Sequence, residues 1–357
     1  MVANHLSWLE AQQLITEHTE EIVSDELVQQ PLLSVCVITY NHAKYVREAL
    51  DSILSQITTV PFEIVVGDDC STDGTKEILL QYQLDYPKLF RLLLSKRRLG
   101  EFTGNGQLNF IRVLSSVRGE YVACLEGDDF WSDDHKISSQ IQTLKLDPKI
   151  AMVCHRVEYV FQEDFDQQLL HEYDSLRTSD GKMIFPEFTS TRTLTWQELL
   201  KRNTIQTCSI MYRKSSIPSI PHWMLNLAMG DWPLCLHAAT QGIIRLDPVV
   251  MAKYRLHGKS YWSSETREQR SKIVTESLAE TFLHTGYQQR DLSGSEIFAL
   301  GTPILFAHHP KDRKKRLDWH KTMLVRLPLS KKVSYLVAFI KSKLALSMSQ
   351  TGSKELQ

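Results

Sequence analysis

Three apolar, β-branched runs in the first half of the chain stop abruptly on polar residues. SVCVIT ends on Tyr40-Asn41, FEIVVG on Asp68-Asp69, and YVACL on Glu126, Asp128 and Asp129. A nearly continuous run of this kind is the signature of a strand covered on both faces. Between the runs, apolar residues recur at helical spacing, as with Val46, Leu50, Ile53 and Leu54 in AKYVREALDSILSQ. STDGTKEILLQYQLDY reads as a second helix with Ser71 or Asp73 as its cap, and GNGQLNFIRVLSSV and DHKISSQIQTLKL as two more. RLLLS and AMVCHRVEYVF add strands. Strands alternating with helices predict an α/β domain with a mostly parallel sheet flanked by helices. Ligands of such sheets bind beyond the carboxyl ends of the strands, where all three polar endings fall.

Glu126, Asp128 and Asp129 lie so close together that they repel one another unless something cationic sits among them. Hard divalent cations take oxygen ligands, and Mg²⁺ is typically held by one or two carboxylates plus substrate phosphates. Asp128 and Asp129 suit that task; the bland reading is a solvated acidic turn, with Asp133-Asp134 capping the next helix. An Asp after the second strand can accept from a ribose hydroxyl or a uracil N3–H, or cap a helix. Tyr40 can stack on a base or close the edge of the core. No GxGxxG follows the first strand and no GxxxxGK[ST] occurs, which disfavours a dinucleotide-binding Rossmann site and removes the P-loop NTPases.

The 357 residues, 42% hydrophobic and 23% charged, suffice for one large domain with an appendage or for two domains. A net charge of -1 argues against a nucleic-acid binder. The six cysteines are scattered without a CxxC pair, several inside apolar runs, so buried reduced thiols are expected and no zinc pattern appears. The N-terminus has neither a basic start nor an apolar h-region, and no apolar run approaches the roughly 20 residues of a membrane span. A cytoplasmic protein is expected.

The organisation read from these patterns is a polar helical extension over 1–30, a main domain over 31–262 and a helical region over 263–357. Within the main domain the pattern divides into 31–160 and 161–262. The pattern weakens between Phe161 and Thr195, then resumes with the helix TWQELLKRN, the strand TCSIMYR, a helix around LAMGDWPLCLHAATQG and a strand pair in IIRLDPVVMAKYRLHG. From Lys311 to Lys343 the tail carries eleven Lys or Arg against two Asp. Such a basic amphipathic segment suits the inner surface of an anionic membrane, or packs back on the domain or on another copy.

In order, SVCVITYNHAKYVREALDSILSQ, FEIVVGDDCSTDGT and RGEYVACLEGDDFW resemble glycosyltransferase family 2, inverting enzymes with a GT-A fold. The resemblance spans roughly Leu32 to Trp262 and is strongest from Leu33 to Val160. It implies that Tyr40 and Asp69 contact the nucleotide base, usually uracil, with Asp68 near the ribose. Asp128 and Asp129 fall in the family's metal and diphosphate motif, Asp129 as the nearer metal ligand. The run Lys96-Arg97-Arg98 lies toward the phosphates. LAMGDWPLCLHAATQG resembles the acceptor-side segment, which makes Asp231 the catalytic base; many relatives carry Glu-Asp where this chain has Gly230-Asp231. AKYRLHGKSYW resembles a late segment in which His257 ligates the metal or the diphosphate, with Arg255 or Lys259 adding positive charge. Trp232 and Trp262 offer flat faces to a sugar or pack in the core.

The activity so implied is transfer of a hexosyl or related sugar, assisted by Mg²⁺ or Mn²⁺. The donor is a nucleoside diphosphate sugar, UDP-sugar foremost, and the acceptor a hydroxyl of a glycan or lipid-linked glycan, as in polysaccharide or lipopolysaccharide synthesis. A catalytically silent sugar-nucleotide-binding scaffold is the alternative, against which the retained Asp128, Asp129 and Asp231 speak. A nucleotidyltransferase ordinarily opens with a glycine-rich loop after the first strand, where this chain has TYNHAKY.

Overall fold

A computed structural model describes residues 5–258, 260, 265–289, 291–308 and 313–351. The chain forms two compact units, Met1–Thr266 and Arg267–Gln357. Eleven strands build the sheet of the first unit: β1 Thr19–Val23, β2 Leu33–Thr39, β3 Phe62–Asp68, β4 Phe90–Ser95, β5 Tyr121–Glu126, β6 Phe130–Trp131, β7 Ile150–Phe161, β8 Met183–Phe185, β9 Arg192–Leu194, β10 Met211–Arg213 and β11 Ile243–Leu256. The main path runs β1-β4-β3-β2-β5-β10-β7-β11-β6.

The four strands β4, β3, β2 and β5 are mutually parallel, as the alternation of strands and helices predicts. Helices Val46–Leu54, Thr75–Asp85 and Gln107–Ser115 connect them. Both faces are covered, which is why Val35, Val37, Ile64 and Leu92 are buried on one face and Cys36, Val65 and Leu93 on the other. The chain steps from β2 outward to β3 and β4 and then returns to the other side of β2 with β5. That reversal opens a crevice at the carboxyl ends of β2 and β5. The endings at Tyr40 and at Glu126 to Asp129 therefore meet at the topological switch point.

Two elements depart from the pattern read in sequence. Among the described residues of the first thirty, the helix runs over Trp8–His18; the chain then extends as β1, antiparallel to β4, and covers that edge. IIRLDPVVMAKYRLHG is one long strand, not a pair. β11 runs parallel to β7 from Ile243 to Leu256, with register shifts around Asp247 and Val250. Pro248 lies in that irregularity, since a proline cannot donate to the ladder and is tolerated at a bulge. All six cysteines are free, five of them buried. Among the described residues, no helix is long and apolar enough to cross a membrane.

A buried polar clamp lies below the crevice. Lys136 is fully buried, donates to Gln140 Oε1 at 2.6 Å and sits 4.2 Å from the centre of the Trp131 ring. Gln140 Nε2 donates to the Ser209 carbonyl at 2.9 Å, and Trp131 Nε1 to the Cys208 carbonyl at 3.2 Å. Together they grip the short 3₁₀ turn Thr207–Ser209. Burial pulls Lys136 down to about 7, against the smaller opposing effect of Cys208 and Cys124.

Two stability outcomes follow. A Cβ on Gly67 would lie 2.3 Å from Val113 Cγ2 and 2.5 Å from Asn109 Oδ1, so Gly67→Ala overpacks β3 against the helix Gln107–Ser115. We expect a loss of about 1–3 kcal/mol in urea denaturation. Lys136 binds its proton less tightly folded than unfolded, so between about pH 7 and its ordinary value of roughly 10.4 the unfolded chain holds more protons. Over that window native stability gains from rising pH, and below it the charge is a cost. Lys136→Met removes this dependence. Relative to the variant, the wild-type urea midpoint should rise between pH 7 and pH 10 by the equivalent of ~3 kcal/mol. A constant difference between the two proteins would refute the buried lysine as its source.

Candidate active site

The loops after β2 and β3 are stitched together by side chains. Asn41 and Cys70 both adopt left-handed backbone, with φ of 57° and 62°. Asn tolerates that region, whereas a cysteine there is strained by about 1–2 kcal/mol. The distortion is held by hydrogen bonds between the loops. Asn41 N donates to Ser71 Oγ at 2.8 Å, Thr72 N to Asn41 Oδ1 at 2.8 Å, and His42 N to Thr75 Oγ1 at 2.9 Å. Asp73 accepts from Ala43 N and from Thr75 N at the start of the next helix, but the N-cap there is Gly74, in left-handed backbone, so neither Ser71 nor Asp73 is the cap.

Asp68 accepts from Ser71 N at 3.0 Å and from the Ser71 hydroxyl. Asp69 accepts from Leu99 N at 2.6 Å and Gly100 N at 3.1 Å, which anchors the loop after β4 to the end of β3. Burial pushes both carboxyls up, while these donors and the nearby Arg112 draw them back toward ionisation. The anchored loop carries Arg98, whose guanidinium lies 4.1 Å from the centre of the Tyr40 ring. Tyr40, Asp69 and Arg98 thus form one cluster. Arg97 points elsewhere, pairing with Glu101 at 3.0 Å.

The acidic turn after β5 is held from two sides. Gly127 N donates to the Ile38 carbonyl at 2.8 Å, and a Cβ at Gly127 would lie 3.0 Å from His42 Nδ1 and from Thr39 Cβ. A glycine there lets the turn sit against the end of β2. From the other side comes the end of β11. Arg255 N donates to Asp129 Oδ1 at 2.7 Å, and Arg255 Nη1 to the Asp128 carbonyl at 2.6 Å. Its Nη2 reaches Glu48 at 2.6 Å, and its guanidinium lies against the Tyr45 and Phe130 rings. Arg255 is only 4% exposed, so its charge serves the architecture of the turn.

Two residues further along the chain, His257 Nε2 lies 3.0 Å from Asp128 Oδ2, and His42 Nε2 approaches the same oxygen at 3.7 Å. Burial raises the Asp128 carboxyl, but these two imidazoles outweigh it and hold Asp128 below its ordinary value. Asp129 is the opposite case. It is 1% exposed, and burial together with the Asp128 and Glu126 charges pushes it well above the carboxylate range. Its Oδ2 and Glu126 Oε2 are buried without a hydrogen-bond partner, although the Cys208 thiol, a weak donor, lies beside Asp129.

This donor set fits a divalent cation held by few protein ligands. Among the described residues no group of three or more His, Cys, Asp or Glu forms a complete cage. Asp128 Oδ2 and His257 Nε2 stand 3.0 Å apart, one oxygen and one nitrogen, with unpartnered oxygens of Asp129 and Glu126 buried nearby. That matches a site completed by phosphate oxygens and water.

Asp231 opens the helix Asp231–Gln241 and stays in contact with solvent although it lies deep in the protein. It is not the N-cap; Gly230 is, and no side chain caps that helix. Burial raises the Asp231 carboxyl above its ordinary value, with the Trp232 amide, Asn203 and Thr207 opposing. Glu126, itself raised chiefly by burial and by Asp128, feels Asp231 on one side and Asp128 on the other, and it too meets the Thr207 hydroxyl. The carboxylates therefore form one chain from Asp128 through Glu126 to Asp231.

The structure thus brings Asp128, Asp129 and His257 together at the switch point, and sets Tyr40, Asp68 and Asp69 at the neighbouring strand ends. The sequence put Asp129 nearer to a metal, but it is Asp128 whose oxygen meets the two imidazoles, while Asp129 is tied to β11. Trp232 is buried and donates to the Leu199 carbonyl at 2.7 Å, so it packs in the core. Lys259 and Trp262 lie outside the described residues. Sequence reasoning passed over His42, Glu48, Arg112, Asn203 and Thr207. For His42 a signal existed, since it directly follows the polar end of β2.

Comparison with known proteins gives the family and the fold. Residues 34–217 match the family model described as Glycosyl transferase family 2. Uncharacterized protein Rv1520 of Mycobacterium tuberculosis (strain ATCC 25618 / H37Rv) is 36% identical over 276 residues, which is 75% of this chain and 73% of that protein. The dTDP-rhamnosyl transferase RfbG of Shigella flexneri is 37% identical over 109 residues, 30% of this chain and 36% of that protein. Among solved structures, S. aureus TarS 1-349 in complex with UDP-GlcNAc is similar with a TM-score of 0.54 at 17% identity, covering 83% of this chain and 81% of that one. At that identity the likeness carries the fold, which is GT-A. With the family model spanning half of the chain, this protein is a glycosyltransferase and belongs to glycosyltransferase family 2.

Proposed function

We propose that the protein is an inverting glycosyltransferase. It takes a sugar from a nucleoside diphosphate donor, UDP foremost, and places it on a hydroxyl of a glycan or lipid-linked glycan. The observation that carries this reading is the shared oxygen of Asp128, facing His257 and His42 at the switch point, with Asp231 across Glu126. A UDP-GlcNAc complex of the similar TarS fold supports the uracil assignment, and the name of RfbG keeps a thymine base in view.

The residues take the following roles. The Tyr40 ring, backed by Arg98, offers a face to the base, and Asp69 and Asp68 lie toward the base and the ribose. Asp128 and His257 hold the cation, and Asp129 stands behind Asp128 and fixes the turn through Arg255. When bound, Mg²⁺ or Mn²⁺ neutralises the diphosphate and so eases its departure. Asp231 takes the proton of the acceptor hydroxyl as that oxygen bonds to the anomeric carbon. The bond from that carbon to the diphosphate oxygen breaks on the opposite face, so the configuration inverts. The burial that raises Asp231 makes it a stronger base.

Calorimetry with UDP, with and without Mn²⁺, tests the donor side, and dTDP and GDP serve as comparisons. We expect metal-dependent binding that weakens at least ~10-fold in Asp128→Ala, equivalent to about 1.4 kcal/mol. Failure of every nucleoside diphosphate to bind would sink the reading, whereas metal-dependent binding with no transfer or hydrolysis of any nucleotide sugar would favour the silent scaffold. For the acceptor side, Asp231→Asn should retain nucleotide binding while transfer drops by about 10²–10⁴. The acidic limb of the wild-type rate profile should lie above the ordinary aspartate value of roughly 3.9, with activity lost as pH falls through the raised value. A limb at or below that value would remove Asp231 as the base.

A further inference from the structure

The second unit has its own core. Phe282 stacks on Trp319 at 5.6 Å, Phe298 stacks on His320 at 5.3 Å, and His320 Nδ1 lies 2.9 Å from the Tyr335 hydroxyl. Tyr335 is fully buried and belongs to the helix Leu329–Thr351. That helix therefore has an inward face, to which Phe339 also belongs, 4.8 Å from His320. Its opposite face is apolar and open. Leu329, Val333, Leu336, Val337 and Ile340 are 81%, 69%, 43%, 45% and 47% exposed. At 3.6 residues per turn these five positions fall within a stripe about 100° wide. Lys332 borders the stripe on one side and Lys341 on the other.

We propose that this face of the helix Leu329–Thr351 docks in the plane of an anionic lipid surface. Its aliphatic stripe would enter the headgroup boundary and Lys332 and Lys341 would lie level with the headgroups. Three observations select that partner. The open stripe stands opposite the helix's packed face, so it is left over after the fold has satisfied itself. The surrounding segment from Lys311 to Lys343 carries eleven cationic residues against two Asp. A second copy would bring the same cationic border against itself, whereas acidic lipids oppose it with the complementary charge. Finally, the helix is too polar to cross a bilayer, so it lies along the surface.

The proposal adds a membrane to the acceptor side of the function above, but its test needs no donor, metal or acceptor, so the two readings can fail separately. Flotation of the full chain with phosphatidylcholine vesicles, with and without phosphatidylglycerol, is the measurement. Binding is expected to require phosphatidylglycerol, to weaken with salt, and to fall at least ~10-fold in Val333→Asp/Ile340→Asp. Circular dichroism of that variant checks that the helices persist. Should it fail to fold, Lys332→Glu/Lys341→Glu keeps the stripe and should lose the preference for anionic vesicles. No flotation of the wild type, equal flotation of the folded variants, or a dimer abolished by Val333→Asp/Ile340→Asp without vesicle binding would each overturn the proposal.

Discussion

The site depends on one buried cation. Arg255 ends the long strand β11 inside the protein, and its guanidinium and amide meet the acidic turn, Glu48 and two aromatic rings at once. A buried guanidinium is costly unless its donors are used, and here the Asp128 carbonyl and the Glu48 carboxylate use them. The consequence reaches two residues further. With Arg255 fixed, His257 is delivered to Asp128, although the two lie 129 positions apart in sequence. Loss of the Arg255 side chain would leave the Asp128 carbonyl and Glu48 without their partner and loosen the end of β11 from the turn. Those contacts make Arg255 the anchor of the turn.

Around that anchor the protein holds more negative charge than it neutralises. Asp128 has two imidazoles beside it, while Asp129 and Glu126 keep buried oxygens with no donor. Burial accordingly drives those two toward the protonated form. Unpartnered buried carboxylate oxygens are rare where nothing binds, because each forfeits its hydration without return. The turn is thus incomplete as a structural element and suited to a charged ligand. The strained Cys70 and the laced loops after β2 and β3 point the same way, because tension of this kind gathers where a loop must keep one shape for a ligand.

Much of this is legible in the sequence because the physics is local. Buried strands must be apolar and their ends must return to water, so the polar endings at Tyr40, Asp68 and Glu126 mark the functional edge of the sheet in the order of residues alone. What stays hidden depends on pairing across the chain. The antiparallel edge strand β1 carries an alternation too weak to tell from a frayed helix. The single strand β11 looks like two, because Pro248 interrupts its pattern. Arg98 reaches the Tyr40 ring only because Asp69 anchors the intervening loop through backbone amides. No spacing rule encodes that contact.

The departure at Gly230 shows why a residue that looks missing need not be. The family resemblance leads one to expect an acidic side chain there, and glycine in its place raises the question of what orients Asp231. In this chain a Cβ at position 230 would lie 2.7 Å from both Phe110 Cδ1 and Gln107 Oε1, so the space is taken by the helix Gln107–Ser115. Gln107 is itself committed, donating to the Met224 carbonyl at 2.8 Å. The orientation of Asp231 falls instead to Asn203 and Thr207, and Thr207 also meets Glu126. The clamp of Lys136, Gln140 and Trp131 keeps the turn bearing Thr207 in place from below. Polar groups from a different segment thus flank Asp231 in this chain. The proposed base can keep its aim because the core beneath it, rather than the residue before it, sets its direction.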